Sequence, residues 1–199
     1  MRAIVYLHGF LSAPQSRKAT ALGEAIARLP PSVRPGYHVP PLHPDPAAAI
    51  EAVVRLVRGL AIDVRDDLTL VGSSLGGYYA IHLAQRLGSR AVLVNPALRP
   101  YEDLRPYEGE QTNLYTGESF VVTPAHFVAL AALAIPKILH PERIFLLVQT
   151  GDEVLDYRQA VAYCAGAWQY VEGGGDHTFA GFETQIPAIL RFAGVVDQV

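Results

Sequence analysis

The sequence predicts an α/β protein built on a mainly parallel sheet of about six strands, with helices on both faces. Three observations predict it. Short apolar runs rich in β-formers alternate with stretches of helical periodicity, which is how a parallel sheet covered on both sides reads. Half of the 199 residues are hydrophobic and 18% are charged, enough for a sizeable core. The run Leu68-Thr69-Leu70-Val71 enters Gly72-Ser73-Ser74-Leu75-Gly76-Gly77, and a helical pattern follows at once. That is strand, sharp turn, helix.

Each element has a local reason. Ala3 to Leu7 is a short apolar run, ended by His8-Gly9-Phe10, and reads as a buried strand. A helix follows over about Ser16 to Leu29, with Ala19, Leu22, Ile26 and Leu29 at helical spacing, and Pro30-Pro31 stops it. Gly36 to Pro40 reads as a short second strand. Asp45-Pro46 opens the next helix, an aspartate N-cap before a proline at the first turn, and this helix runs to about Leu60. Leu68 to Gly72 is the third strand. Leu75 to Leu87 is the helix after it, ended by Gly88, and Ala91 to Asn95 is the fourth strand.

The rhythm then breaks. Residues 96–143 are far more than a simple crossover needs, so they read as a lid-like insertion within one domain spanning 1–199. The insertion opens tyrosine-rich and acidic, with Tyr101, Tyr107 and Tyr115. Thr123-Pro124 then starts a helix to about Leu133. Ile144 to Gln149 is the fifth strand, Asp156 to Ala165 a helix, and Trp168 to Val171 the sixth strand. The glycine-rich stretch Gly173-Gly174-Gly175-Asp176-His177 leads to a closing helix over Phe182 to Phe192.

Three polar groups stand at strand carboxyl ends, where ligands of such sheets bind: Ser74, Asp152 and His177. Gly72-Ser73-Ser74-Leu75-Gly76 fits G-x-S-x-G, in which glycines remove side chains that would clash in a tight strand-to-helix turn. A serine hydroxyl needs a base, a neutral imidazole can take its proton, and a carboxylate can fix the imidazole's tautomer. The Leu75 N–H opens a helix, and the Phe10 N–H follows the first strand; together they make an oxyanion site. Glu153 and Asp156 rival Asp152 as the acid, but Asp156 has a sufficient task as a helix N-cap.

Composition narrows the partners. The net charge is −3 with no basic stripe, so nucleic acid is not an expected partner. His38, His43, His82, His126 and His140 are scattered, no spacing resembles a metal site, and no metal or cofactor is expected. His8 reads as a structural hydrogen-bonding residue. A single cysteine, Cys164, suits a reducing compartment and reads as a buried small hydrophobe. Ile4-Val5-Tyr6-Leu7 is too short for the apolar core of a leader, and no stretch is long enough to span a membrane, so a cytoplasmic protein is expected.

Through these residues the sequence resembles the α/β-hydrolase superfamily and, within it, the small bacterial YqiA-like esterases. The resemblance rests on Tyr6-Leu7-His8-Gly9-Phe10, Gly72-Ser73-Ser74-Leu75-Gly76-Gly77, Asn95-Pro96 and Tyr115-Thr116-Gly117-Glu118. It continues through Gln149-Thr150-Gly151-Asp152-Glu153-Val154-Leu155-Asp156-Tyr157-Arg158 and Gly174-Gly175-Asp176-His177. It implies a reduced α/β-hydrolase fold and an esterase or thioesterase acting on a small acyl ester or thioester, with Ser74, Asp152 and His177 as the triad. Two other readings stay open on the sequence: cleavage of a C–C bond by the same triad, and a non-catalytic binding module on a hydrolase scaffold.

Overall fold

Strands with apolar side chains on both faces must be covered on both faces, and this governs the computed structural model, which describes residues 1–195. The chain runs β1 (Ala3–Leu7), α1 (Arg17–Ala27), β2 (Gly36–His38), α2 (Pro46–Gly59), α3 (Val64–Asp67), β3 (Leu68–Ser73), α4 (Leu75–Leu87) and β4 (Arg90–Val94). It continues with α5 (Pro100–Asp103), β5 (Gly109–Thr112), β6 (Ser119–Val122) and α6 (Pro124–Ala132). Then come β7 (Ile144–Gln149), α7 (Tyr157–Tyr163), β8 (Trp168–Glu172) and α8 (Ile186–Phe192).

Six of the strands form one parallel sheet in the order β2-β1-β3-β4-β7-β8. Alternate side chains serve opposite layers. Val5, Leu7, Leu68, Leu70, Ala91, Leu93, Ile144 and Leu146 pack under α2, α4, α6 and α7. Ile4, Tyr6, Val71, Val92, Val94 and Leu147 face α1 and α8. All the crossovers within this sheet bring the chain back to the same edge, so the ends of β1, β3, β4, β7 and β8 stand side by side. The register sets Leu7 beside Gly72, Ser73 beside Val94, Val94 beside Leu147, and Gln149 beside Glu172.

The expected helix start at Asp45 is present: its side chain accepts from the Ala48 N–H at 2.8 Å. Three features depart from the sequence reading. A short helix, α3, forms where Asp63 caps the N–H groups of Arg65 and Asp66. The closing helix is shorter than expected. Phe182–Gln185 is a 3₁₀ turn, and α8 begins only at Ile186, with Pro187 in its first turn. Most consequentially, the first half of the insertion contains an antiparallel hairpin, β5 paired with β6. Its turn is set by Asn113, whose Oδ1 accepts from the N–H groups of Tyr115 and Thr116 at 2.9 and 3.0 Å.

That hairpin is tied down over the sheet's carboxyl edge. The Leu114 N–H donates to the Leu11 carbonyl at 3.1 Å, and Asn113 Nδ2 to the Ser12 carbonyl at 2.9 Å. The Phe10 ring stands edge-on against Tyr107 and Phe120. The loop after β1 and the insertion therefore form one connected wall above the end of β3.

Candidate active site

Ser74 sits between the last residue of β3 and the first of α4, at φ 54° and ψ −120°. A non-glycine residue rarely adopts this conformation; it costs of order 1–3 kcal/mol and persists only where the surroundings fix it. Here they do. The Ser74 N–H donates to the Val94 carbonyl at 3.1 Å, and its carbonyl accepts from Gly77 and Ala97 at 2.9 and 3.1 Å. The flanking glycines answer a steric need: a Cβ at Gly72 would run into the Gly76 carbonyl, and one at Gly76 into the Leu7 carbonyl.

The structure brings Ser74, His177 and Asp152 into one hydrogen-bonded chain. His177 Nε2 lies 3.1 Å from Ser74 Oγ. His177 Nδ1 lies 2.9 and 3.0 Å from the two Asp152 carboxylate oxygens. A carboxylate only accepts, so Nδ1–H is the donor and Nε2 is left to accept from the serine hydroxyl. The Asp152 side chain is 2% exposed and that of His177 21%. Burial works against the Asp152 charge. The bond to His177 and the N–H groups of Leu155 and Val154, at 2.8 and 2.9 Å on Oδ1, outweigh it and hold the carboxyl below its ordinary value.

Of the rival acids, Asp156 caps α7 by accepting from the Arg158 N–H at 3.0 Å. Glu153 holds the histidine from another side: its Oε2 accepts from the His177 backbone N–H at 3.0 Å. The loops bearing acid and histidine are zipped together. The Gly151 N–H donates to the Gly174 carbonyl at 2.8 Å, and the Gly174 N–H donates to Thr150 Oγ1 at 2.9 Å. The approach is so close that a Cβ at Gly151 would strike the Gly175 carbonyl.

Two residues that the sequence reading gave no role fasten this arrangement. Asn95, buried at φ 39°, donates from Nδ2 to the carbonyls of Asp176 and His177 at 3.0 and 3.2 Å, and accepts from the Gln149 N–H at 3.1 Å. Gln149 Oε1 accepts from the Asp176 N–H at 3.1 Å, and its Nε2 donates to Glu172 Oε2 and the Ala180 carbonyl. A signal was present: each is a polar residue ending an apolar strand, and a buried amide must find partners.

The Leu75 N–H opens α4 and has no acceptor within the helix. Among the described residues neither it nor the Phe10 N–H donates a hydrogen bond. Both residues adjoin Ser74 in one cavity of about 220 Å³, whose wall is mostly apolar, with Ala97, Pro100, Leu104, Leu114 and Leu155, but also holds Asp103, whose carboxyl burial pushes above its ordinary value. A larger cavity of about 450 Å³ also reaches Ser74 and His177, from the side of α1 and Tyr115. His8 is structural, as expected. Burial lowers its pKa, its Nδ1–H donates to the Gly9 carbonyl, and Nε2 accepts from the Leu42 N–H at 3.2 Å.

A family model described as "Uncharacterised protein family (UPF0227)" matches residues 3–194. Among solved structures, alpha/beta hydrolase domain-containing protein 10 from mouse is similar at a TM-score of 0.70 and 17% identity, with 96% of this chain and 89% of that chain covered. The esterase domain of a Rhodothermus marinus protein gives 0.68 and 14%, covering 96% and 86%. A monoacylglycerol lipase from Paleococcus ferrophilus gives 0.67 and 15%, covering 98% and 95%. These likenesses establish the α/β-hydrolase fold.

Proposed function

We propose that this chain, which belongs to the UPF0227 family within the α/β-hydrolase superfamily, is a serine hydrolase that cleaves carboxylic esters or thioesters through an acyl-enzyme. The observation that carries this is the continuous chain Ser74 Oγ, His177 Nε2, His177 Nδ1, Asp152 carboxylate, with links of 2.9–3.1 Å.

Ser74 Oγ attacks the substrate carbonyl carbon while its proton passes to His177 Nε2. The carbonyl oxygen becomes an oxyanion and accepts from the N–H groups of Leu75 and Phe10, donors otherwise unused at a helix start and a strand exit. The imidazolium, steadied by Asp152, gives the proton to the departing oxygen or sulfur as the tetrahedral carbon collapses to the acyl-enzyme. Water then repeats the attack, with His177 taking its proton and returning it to Ser74. Asn95, Gln149 and Glu153 act on none of the reacting atoms; they position His177. The apolar cavity of about 220 Å³ takes the acyl chain. The insertion 96–143 serves as its outer wall, through Pro100, Leu104 and Leu114. No helix among the described residues is long and apolar enough to cross a membrane, and we keep the cytoplasm as the compartment on the strength of the single, buried, free Cys164.

The test is hydrolysis of p-nitrophenyl esters and acyl thioesters of graded chain length by wild type and Ser74→Ala, with a fluorophosphonate probe on both. The expected result is probe attachment at Ser74 and a loss of about 10⁴-fold or more in rate without it. Undiminished hydrolysis by Ser74→Ala overturns the reading.

A further inference from the structure

The larger cavity at Ser74 is not walled like the smaller one. Besides apolar and aromatic residues such as Phe10, Phe179 and Phe182, its wall holds Ser74 and His177 together with Ser16, Arg17 and Lys18, the start of α1. We propose that Lys18, in the wall of this cavity, binds an anionic group, a carboxylate or a phosphate, on the leaving half of the substrate. The inference rests on the esterase reading above and names the substrate class that reading leaves open.

The charges around Lys18 support this. Its Nζ donates to the Thr178 carbonyl at 2.7 Å, which ties the ammonium one residue from His177. An ammonium has three donors, so further bonds remain for a ligand. Among the described residues Lys18 forms no ion pair. The carboxylates near it are engaged elsewhere. Asp152 holds His177, Asp176 Oδ1 accepts from Thr178 Oγ1 at 2.6 Å, and Glu183 pairs with Arg17 at 3.1 Å. Burial above all, with the Arg17 charge beside it, pushes the Lys18 amine down to about 8 against the pull of Asp176, Asp152 and Glu183.

The helix start is unpartnered as well. Ser16 makes no side-chain cap, no acid lies in the first turn, and the buried Ser16 Oγ has no hydrogen-bond partner among the described residues. Among the described residues the N–H groups of Arg17, Lys18 and Ala19, which open α1, donate no hydrogen bond. An ester has two halves. The acyl chain fits the smaller, mostly apolar cavity, which leaves the larger one, with Lys18 in its wall, for the alcohol or thiol.

The matched pair 3-butyryloxybenzoate and 3-butyryloxybenzamide differs in charge but not in shape, and 3-butyryloxyphenyl phosphate adds the second anion. Wild type is expected to prefer the benzoate over the benzamide by roughly tenfold in kcat/KM, as one charge-assisted hydrogen bond gives. The preference should sit in KM and shrink with added salt. Lys18→Gln should erase the preference and Lys18→Arg retain most of it, with thermal melts confirming folded variants. A larger gain for the phosphate ester than for the benzoate identifies phosphate as the recognised anion, and the reverse identifies carboxylate. A wild-type ratio near one overturns the inference while leaving the esterase reading intact, and it does so even if Lys18→Gln fails to fold. Silence towards every ester, with no fluorophosphonate labelling, fails the esterase reading instead and removes the inference with it.

Discussion

Replacing Asn95 should loosen both the sheet edge and the histidine loop. Its amide joins three strand ends: it follows β4, receives the N–H of Gln149 at the end of β7, and holds the Asp176 and His177 carbonyls beyond β8. In Asn95→Ala the buried Gln149 N–H loses its acceptor, at a cost of about 1–3 kcal/mol. The two carbonyls lose a donor, at roughly 0.5 kcal/mol each for groups that tolerate under-satisfaction. Alanine must also adopt φ 39°, a region asparagine visits readily and alanine at about 1 kcal/mol more. The sum is roughly 3–5 kcal/mol, which for a chain of this size lowers Tm by about 6–20 °C. Activity should fall further than stability explains. Freed from Nδ2, the His177 backbone shifts relative to Ser74, and a displacement of ~1 Å at such a distance costs about 10²-fold in kcat. Asn95→Asp separates the two effects. It keeps the acceptor for Gln149 but faces two carbonyls with a carboxylate, so kcat drops about as far while the Gln149 bond survives. Urea unfolding followed by far-UV circular dichroism measures stability, and p-nitrophenyl butyrate hydrolysis measures kcat below the transition. A folded Asn95→Ala that loses under 1 kcal/mol and keeps wild-type kcat would refute the claim that this amide positions His177.

Two further outcomes follow from the same geometry. Gly76→Ala should cost roughly 3 kcal/mol or more, because its Cβ meets the Leu7 carbonyl, backbone that cannot swing away; urea midpoints will show it, and a loss under 1 kcal/mol would mean that β1 and α4 are free to part. Asp152 makes a pH prediction whose sign is set by its depressed folded-state pKa: its contribution to stability is fully present above the ordinary value of 3.8 and is lost as pH falls through the lower folded value. Wild type should therefore lose more Tm than Asp152→Asn between about pH 5 and pH 2, and Asp152→Asn should lose about 10⁴-fold in kcat at neutral pH; parallel Tm curves for the two proteins would overturn the assignment of the shift.

The sheet and the serine were legible because both rest on local physics. A strand buried on two faces reads as an unbroken apolar run, as in Ile144 to Val148 of β7. The turn at Ser74 needs glycines at fixed spacing, whatever the rest of the chain does. The choice between Asp152 and Asp156 was legible for a related reason: capping α7 is a local task, and it occupies Asp156. The β5–β6 hairpin was not legible. Gly-Glu-Gln-Thr lacks an apolar alternation, Val121 is exposed, and its pairing is set by the Asn113 turn and by contacts with Leu11 and Ser12, a hundred residues away. Nor was the position of Lys18: a lysine in the first turn of an amphipathic helix looks like any solvated cation until the fold sets it beside residue 178.

What the sequence pattern does not convey is how closely the strained and the clamped parts depend on each other. Ser74, at φ 54°, holds its conformation through the carbonyl of Val94 and the N–H of Ala97. Asn95, at φ 39°, lies between those two residues and reaches across to the histidine loop. The segment Val94–Ala97 therefore holds Ser74 with its backbone and the His177 loop with one side chain. A rotation of that segment moves both ends of the 3.1 Å Ser74–His177 contact together. Two loops borne by separate strands can hold such a contact only if a shared element references both, and the end of β4, lying between β3 and β7, is the position in this sheet that touches both.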